Sequence, residues 1–162
     1  MISHSDLISE KELQDLKAQL RKTAPQAYLV EAYLEPLFFY RGKKKGRVPL
    51  QKLENQKVTT FSGVGSPKSF RLLLSKIKVR PVRNFEFADH HAFTEKELHE
   101  IKMVSDSASS QDIITTEKDF YRNPELIGEK LNPLILAARL RMHSGEEEFN
   151  RRLMRLVDEK KP

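Results

Sequence analysis

The residues best suited to chemistry lie together at residues 87–91, which read Phe-Ala-Asp-His-His. Histidine is the side chain whose charge changes nearest neutral pH, and a neighbouring carboxylate can fix its tautomer. Asp89 and His90 are therefore the candidate catalytic pair, in which the imidazole accepts or relays the proton of an incoming hydroxyl. The competing interpretation is a hydrogen-bonded turn without chemistry, which is the commoner role of an Asp-His pair. His91 is expected to be packed or solvent-facing.

Two more clusters follow predicted strands. Residues 116–119 read Thr-Glu-Lys-Asp, and residues 63–65 read Gly-Val-Gly. The glycines do not form a phosphate loop, because Gly-Lys-Ser/Thr occurs nowhere in the chain and Lys68 stands at the third glycine of a dinucleotide fingerprint. We expect Gly63 and Gly65 to be structural, in a tight turn where a Cβ is crowded.

Hydrophobic patterning and turn residues predict the elements that position these clusters. Strands are expected at residues 2–4, 57–61, 79–87, 112–115 and 134–137, with β-prone residues at 27–40 broken by Pro36. Helices are expected from Ser9 to about Thr23, after Ser66, from Thr94 to about Ser105, from Pro124, and after a cap at Ser144. This alternation predicts an α/β fold: a mainly parallel, three-layer-like sheet with flanking helices. Ligands bind beyond the carboxyl ends of such strands, where all three clusters fall.

Composition limits the classes of partner. The net charge of +6 admits anionic partners, although acidic residues are interspersed and a solvated surface explains the excess equally well. The chain contains no cysteine, which excludes disulfides and thiolate metal sites. Its first residues are not expected to form a signal peptide, and no apolar run approaches the roughly 20 residues of a membrane-spanning helix. Residues 41–47 are predicted to form a basic loop, which is either a solvated turn or a contact with an anionic membrane surface. Its cationic residues are Arg41, Lys43, Lys44, Lys45 and Arg47.

In combination, three motifs resemble the C-terminal half of the tetraacyldisaccharide 4'-kinase family, the lipid A 4'-kinases. They are Phe-Ser-Gly-Val-Gly-Ser-Pro at residues 61–67 with Phe70, the stretch at residues 87–91, and Ile-Thr-Thr-Glu-Lys-Asp at residues 114–119. Their order and spacing agree with the family, and the resemblance extends from about Ile2 to Val157. It divides the chain into residues 1–56, a remnant of the N-terminal kinase domain plus a crossover linker, and residues 57–162, a C-terminal α/β domain.

The resemblance implies part of a P-loop kinase. Such an enzyme moves the ATP γ-phosphate, with Mg²⁺, to the 4'-hydroxyl of a tetraacyldisaccharide 1-phosphate in lipid A biosynthesis of Gram-negative cells. It implies that His90 assists a catalytic aspartate of the N-terminal half and that Asp89 orients His90. It also makes Thr116, Glu117, Lys118 and Asp119 candidates for cofactor binding, although Glu117 and Lys118 can equally pair with each other and cap a helix. No resident metal is expected.

The family's phosphate loop, metal ligands and catalytic aspartate precede the matching region. The chain is therefore expected to be a fragment, a split gene product or a remnant that is inactive alone and binds neither ATP nor Mg²⁺ tightly. Its expected partners are the N-terminal kinase half, the lipid disaccharide and an anionic membrane surface. The expected location is the cytoplasmic face of the inner membrane, peripherally, with this piece soluble.

Two other classes remain open. Asp-His-His also occurs in manganese phosphoesterases, but His4, His99 and His143 do not form ligand-like pairs with aspartates at predicted strand ends. A non-catalytic basic module would bind anionic lipid or nucleic acid. Nucleic acid is not expected, because the chain lacks a recognisable binding motif.

Overall fold

The structure is a computed structural model that describes residues 1–42 and 44–158; for residues 44, 45 and 144 it describes the backbone alone. The strands within the described residues are β1 (Ile2–Ser3), β2 (Glu31–Arg41), β3 (Lys44–Val48), β4 (Lys57–Ser62), β5 (Arg80–Glu86), β6 (Asp112–Thr116) and β7 (Leu134–Ser144). The helices are α1 (Glu10–Thr23), α2 (Pro67–Lys76), α3 (Glu95–Ser107), α4 (Glu117–Phe120), α5 (Pro124–Lys130) and α6 (Glu146–Asp158). Short 3₁₀ turns occur at Ser5–Leu7 and Leu50–Leu53.

The chain divides into two compact units. The smaller contains residues 1–35 and 140–162, and the larger contains residues 36–139. Neither boundary falls at residue 56, and Leu53, only 2% exposed, belongs to the core of the larger unit. The assignment of residues 1–56 to another domain's remnant stays a prediction about family relationship.

The larger unit contains a parallel sheet. β4 pairs in parallel with β5 on one side and β6 on the other, and β6 pairs in parallel with β7. β4 is buried from Val58 to Ser62, as expected of a strand covered on both faces. The sheet and its flanking helices confirm the predicted α/β class.

The core of this unit lies between the sheet and α3. Its buried apolar residues are Phe61, Phe93, Leu98, Ile101, Ile113, Phe120, Ile127 and Ile135. Helix α3 faces this core because Leu98 and Ile101, three positions apart, share one side of the helix. A capping box between Thr94 and Glu97 fixes where the helix begins, as predicted.

The smaller unit contains β1, which pairs in parallel with the start of β2, together with α1 and α6. Helix α1 begins with the predicted capping box of Ser9 and Glu12. The last helix does not begin as predicted. Ser144 lies in β7, and Gly145, with φ +77°, turns the chain into α6, which a residue with a Cβ rarely does. The carbonyl of Gly145 accepts the first helical hydrogen bond from the Phe149 amide at 2.9 Å.

Three other predictions are corrected. The described part of residues 41–47 is not a loop, since Tyr40 pairs with Arg47 and Arg41 with Lys44 in an antiparallel hairpin of β2 and β3. Pro36 does not break β2, because a proline removes only one backbone donor from a strand. Residues 27–30, in contrast, form no strand. Among the described residues, no helix combines the length and apolar character needed to cross a bilayer.

Candidate active site

The turn between β5 and α3 carries Asp89 and His90. The Phe87 amide donates to the Ser62 carbonyl at 2.8 Å, and the His90 amide donates to the Gly63 carbonyl at 3.2 Å. These bonds continue the parallel pairing of β4 and β5 beyond the strand ends. His90 adopts a left-handed conformation with φ 62°, which is uncommon for a residue other than glycine. The backbone is therefore bent sharply at the predicted catalytic residue.

Gly63 and Gly65 allow this turn to lie against the end of β4. A Cβ on Gly63 would lie 3.1 Å from the Ala88 carbonyl oxygen and 3.2 Å from the His91 Cβ. A Cβ on Gly65 would lie 3.2 Å from Asp89 Oδ2. The predicted crowding is confirmed, and Gly145 alone has a positive φ among the glycines the structure describes. Close approach of two chain segments, rather than backbone handedness, requires these glycines.

The turn between β6 and α4 supplies the second cluster. The Thr116 hydroxyl accepts from the Asp119 amide at 3.1 Å and donates to Asp119 Oδ2 at 2.7 Å, which caps α4. Asp119 is completely buried. Lys118 reaches across to the other turn, where its Nζ donates to Asp89 Oδ1 at 2.9 Å. The parallel strands thus bring all three polar clusters together at one edge of the sheet, as expected.

Asp89 is held ionised by its neighbours. The hydrogen bond from Lys118, helped by the nearby imidazole of His90, lowers the pKa of the Asp89 carboxyl below its ordinary value. Its Oδ1 also accepts from the His90 backbone amide at 3.0 Å. The ring contact is looser, since His90 Nε2 lies 3.6 Å from Asp89 Oδ2, beyond hydrogen-bonding range. Asp89 therefore fixes the backbone of His90, and its predicted control of the ring stays a prediction.

The two histidines of this turn differ in environment. The His90 side chain is 76% exposed, whereas that of His91 is 27% exposed. The His91 ring stacks on Phe87 with centroids 4.6 Å apart and meets the edge of Phe93 at 5.2 Å. Its Nε2 lies 2.9 Å from Glu97 Oε1. Of the two predicted alternatives for His91, packing is the one observed.

Sequence reasoning missed the partner of His91. Glu97 completes the α3 capping box, and hydrogen bonds with the Thr94 backbone and with His91 lower the pKa of Glu97 to about 2. The capping-box pattern located Glu97 at the first turn of α3, next to the loop. It could not show that the second carboxylate oxygen meets His91, because that contact depends on the path of the turn.

Arg122 was also missed. Its Nη1 donates to the His91 carbonyl at 3.1 Å, and its Nη2 lies 3.7 Å from Asp89 Oδ1. The same guanidinium approaches Asp119, with Nη1 3.6 Å from Oδ1. The spacing of Asp119 and Arg122 by three residues was the available signal, since such pairs lie on one side of a helical turn.

Glu117 and Lys118 do not pair with each other in the way the structural alternative proposed. Lys118 binds Asp89, and Glu117 accepts a hydrogen bond from the Tyr40 hydroxyl at 2.9 Å. Burial first, and then hydrogen bonding with Tyr121, raises the pKa of Tyr40. Thr116 caps α4, so Glu117 and Lys118 do not have the predicted capping role.

The basic hairpin is partly engaged by the protein itself. Arg41 forms an ion pair with Asp112 and donates to the Asn132 carbonyl. The Arg47 guanidinium lies over the Phe38 ring, 4.5 Å from its centroid. Lys43 and the side chains of Lys44 and Lys45 lie outside the described residues, so the predicted membrane contact stays a prediction.

A cavity of about 320 Å³ opens beside the two histidines. It is lined by His90, His91, Ala92, Phe93, Arg122 and Asn123. The exposed imidazole of His90 at this cavity is placed to meet a ligand from solvent, with cationic Lys118 and Arg122 close by. The arrangement is suited to accepting a proton from a hydroxyl and to receiving an anionic group.

Comparison with known families decides the relationship. The family described as "Tetraacyldisaccharide-1-P 4'-kinase" matches residues 2–158.

The chain belongs to the tetraacyldisaccharide-1-P 4'-kinase family.

Two relatives illustrate the extent of the match to this 4'-kinase family. The tetraacyldisaccharide 4'-kinase of Elusimicrobium minutum is 27% identical over 93% of this chain and 39% of the relative. That of Syntrophobacter fumaroxidans is 29% identical over 88% of this chain and 36% of the relative. A crystal structure of LpxK from Aquifex aeolicus in complex with ATP aligns with 83% of this chain and 40% of that one, at 21% identity and a TM-score of 0.44. The chain spans about two fifths of the length of these proteins.

Membership of a kinase family implies ATP and a divalent metal. The part of the chain that the structure describes contains no group of three or more metal-ligating side chains. At the strand-end site, Asp89 is paired with Lys118, and Asp119 is buried against Thr116 and Arg122. These residues do not fit a Mg²⁺ site, and they also provide no ligand set for the manganese phosphoesterase alternative.

Proposed function

We propose that this chain acts in lipid A biosynthesis as the part of a tetraacyldisaccharide 4'-kinase that handles the acceptor hydroxyl. The reaction is ATP-dependent phosphorylation of the 4'-hydroxyl of a tetraacyldisaccharide 1-phosphate. The observation that supports this most strongly is the convergence of Asp89, His90 and Lys118 at the strand ends of a chain that matches the 4'-kinase family over residues 2–158.

Phosphoryl transfer requires positioning, neutralisation of charge and a group for the proton of the acceptor. In this proposal, His90 accepts or relays the proton of the 4'-hydroxyl at its exposed imidazole. Asp89 holds the backbone of His90, with its Oδ1 3.0 Å from the amide nitrogen. Lys118, whose side chain is 47% exposed, offers a positive charge near the same point.

ATP and Mg²⁺ are proposed to be held elsewhere, because the described residues provide no Mg²⁺ ligand set. We assign that task to the N-terminal kinase half, in the same gene product or on a separate chain, and this chain alone is expected to be inactive. The remaining proposed partners are the lipid disaccharide and an anionic membrane, in a Gram-negative cell at the cytoplasmic face of the inner membrane. The candidates for the membrane contact are Lys43, Lys44 and Lys45, together with Arg41 and Arg47. Arg41 also pairs with Asp112, and Arg47 also lies over the Phe38 ring.

The test is reconstitution of the whole kinase. The chain is joined to an intact N-terminal half from a 4'-kinase, and transfer of phosphate from ATP to a tetraacyldisaccharide 1-phosphate is measured. We expect turnover from the chimaera, its loss in His90→Ala, and no turnover by this chain alone. The proposal fails if a properly folded chimaera is inactive or if His90→Ala leaves kcat unchanged. Turnover by the isolated chain would refute the assignment of nucleotide binding to the other half.

A further inference from the structure

Arg122 connects the two turns that form the candidate site. It follows α4, and its side chain is 17% exposed. From there, Nη1 donates to the carbonyl of His91 at 3.1 Å, in the turn that follows β5. A guanidinium offers several donors in a fixed plane, so one arginine can hold two groups at a defined separation. Arg122 is placed to hold the turn carrying His90 against the turn carrying Lys118.

The support for Arg122 comes from Asp119. This carboxylate is fully buried, and its Oδ2 is fixed by the Thr116 hydroxyl at 2.7 Å. Its Oδ1 lies 3.6 Å from Arg122 Nη1, so charge attraction acts across the gap without a hydrogen bond. Asp119 Oδ1 and Arg122 Nη2 are both buried, and neither has a hydrogen-bond partner among the residues that the structure describes. Such atoms are rare in proteins and commonly mark a site where strain or function is accommodated.

Arg122 Nη2, which has no hydrogen-bond partner among the described residues, points to a second role for this side chain. Asp89 Oδ1 is 2.9 Å from Lys118 Nζ and 3.7 Å from Arg122 Nη2. Lys118 is exposed enough to engage an anion from solvent, whereas Arg122 is mostly buried. When an anionic ligand binds Lys118, a shift of less than about 1 Å would give Asp89 a hydrogen bond to Arg122 in place of the one lost.

We propose that Arg122 is a positioning residue of this site, which holds the Asp89-His90 turn in place and retains Asp89 when Lys118 binds an anionic ligand. It does not touch the reacting atoms. The role for catalysis rests on the proposed function, but the positioning of the turn does not.

The first test uses the reconstituted kinase. With active enzyme counted by titration, Arg122→Gln should lower kcat between about 10-fold and 100-fold, the scale on which a displaced catalytic group acts. The KM for ATP should stay the same, and Arg122→Lys should restore part of kcat. Arg71→Gln, which removes an exposed ion pair with Glu86, is the matched control and should leave kcat unchanged. Unchanged kcat in Arg122→Gln, or an equal loss in Arg71→Gln, would overturn the catalytic role.

The second test uses this chain without any activity assay. Hydrogen exchange is measured at the amides of His90 and His91, which donate to the Gly63 and Ala88 carbonyls. Arg122→Gln should speed both, Arg122→Lys should speed them less, and Arg71→Gln should not. Unchanged exchange in Arg122→Gln would refute the positioning role, even if the kinase proves active. Faster exchange combined with an inactive wild-type chimaera would sustain the positioning role while the proposed function fails. If Arg122→Gln does not fold, amide exchange in Arg122→Lys is compared with that in the wild type and in Arg71→Gln, and unchanged exchange in Arg122→Lys refutes the positioning role.

Discussion

The turn between β5 and α3 has two halves with opposite character. Asp89 and His90 face solvent, and the His90 amide donates to Asp89 Oδ1, whereas His91 and Phe93 are packed among aromatic rings. His90 and His91 have the same side chain but therefore have different roles. The difference teaches that the neighbours of an imidazole, more than its place in a motif, decide whether it is available for chemistry. A packed ring with a fixed carboxylate partner holds the turn so that the exposed ring has a defined place.

The largest effect expected is that of His90→Ala on the reconstituted kinase. General acid–base assistance is worth about 10²–10⁴-fold in rate, or roughly 3–5 kcal/mol of barrier, so kcat should fall within that range. The KM for ATP should change little, because His90 is not assigned to nucleotide binding. Steady-state kinetics with both substrates varied provides the measurement. A crippling loss in His91→Ala with normal folding, and none in His90→Ala, would invert the comparison.

His91→Ala should act on stability instead. The change removes stacking on Phe87 and the hydrogen bond to Glu97, and these contacts together account for roughly 2–3 kcal/mol of the free energy of unfolding. Denaturant titration followed by circular dichroism measures the loss. His90→Ala is the matched control, with an expected change within about 0.5 kcal/mol because its side chain is exposed. Equal losses in the two variants would remove the distinction between the two halves of the turn.

Alanine substitutions at Gly63 and Gly65 should differ less in their effect on the free energy of unfolding. Gly63→Ala should lower the free energy of unfolding by about 1–2 kcal/mol, because its Cβ would press on the Ala88 carbonyl and the His91 Cβ. Gly65→Ala should cost less, since the neighbour it meets is the movable carboxylate of Asp89. Melting temperatures of the two variants test the order. A larger loss at Gly65 would show that the exposed half of the turn is the more rigid one.

The smallest expected effect is on the pH dependence of stability under acidic conditions. The pKa of Glu97 is lowered to about 2 from an ordinary 4.5. Because the folded-state pKa is the lower one, the stabilisation is complete above about pH 4.5 and is lost as the pH falls toward 2. Glu97→Gln should flatten the stability profile in that window: the variant should be less stable than the wild type at pH 7, and the difference should narrow as the pH falls toward 2. Urea midpoints measured from pH 2 to pH 7 provide the test, and an unaltered acid limb would mean that His91 and Thr94 do not hold Glu97 ionised.

Local patterns predicted the elements well because their causes are local. Ser9, Thr94 and Ser66 cap helices where the sequence indicated, since a capping side chain needs only the next three residues. The alternation of strands and helices along the chain predicted the parallel sheet. The rule that ligands bind beyond the carboxyl ends of parallel strands predicted that the three polar clusters meet.

What failed depended on distant parts of the chain. The hairpin of β2 and β3 was read as a loop because its charges suggested solvent, whereas pairing across the turn decides its conformation. The partners of Asp89 and His91 come from residues 118 and 122 and from the start of α3, and no spacing rule relates those positions.

Strand β5 ends the strand order, and this position affects how the protein behaves in concentrated solution. An outer strand presents unpaired backbone groups on which a strand from another molecule can assemble. Pro81 lacks a backbone donor, and the exposed Arg80 and Arg83 place like charges along the same strand. Two molecules that approached edge to edge would therefore meet a missing hydrogen bond and mutual repulsion. The same residues that mark β5 as an edge strand therefore oppose growth of the sheet from one molecule into the next.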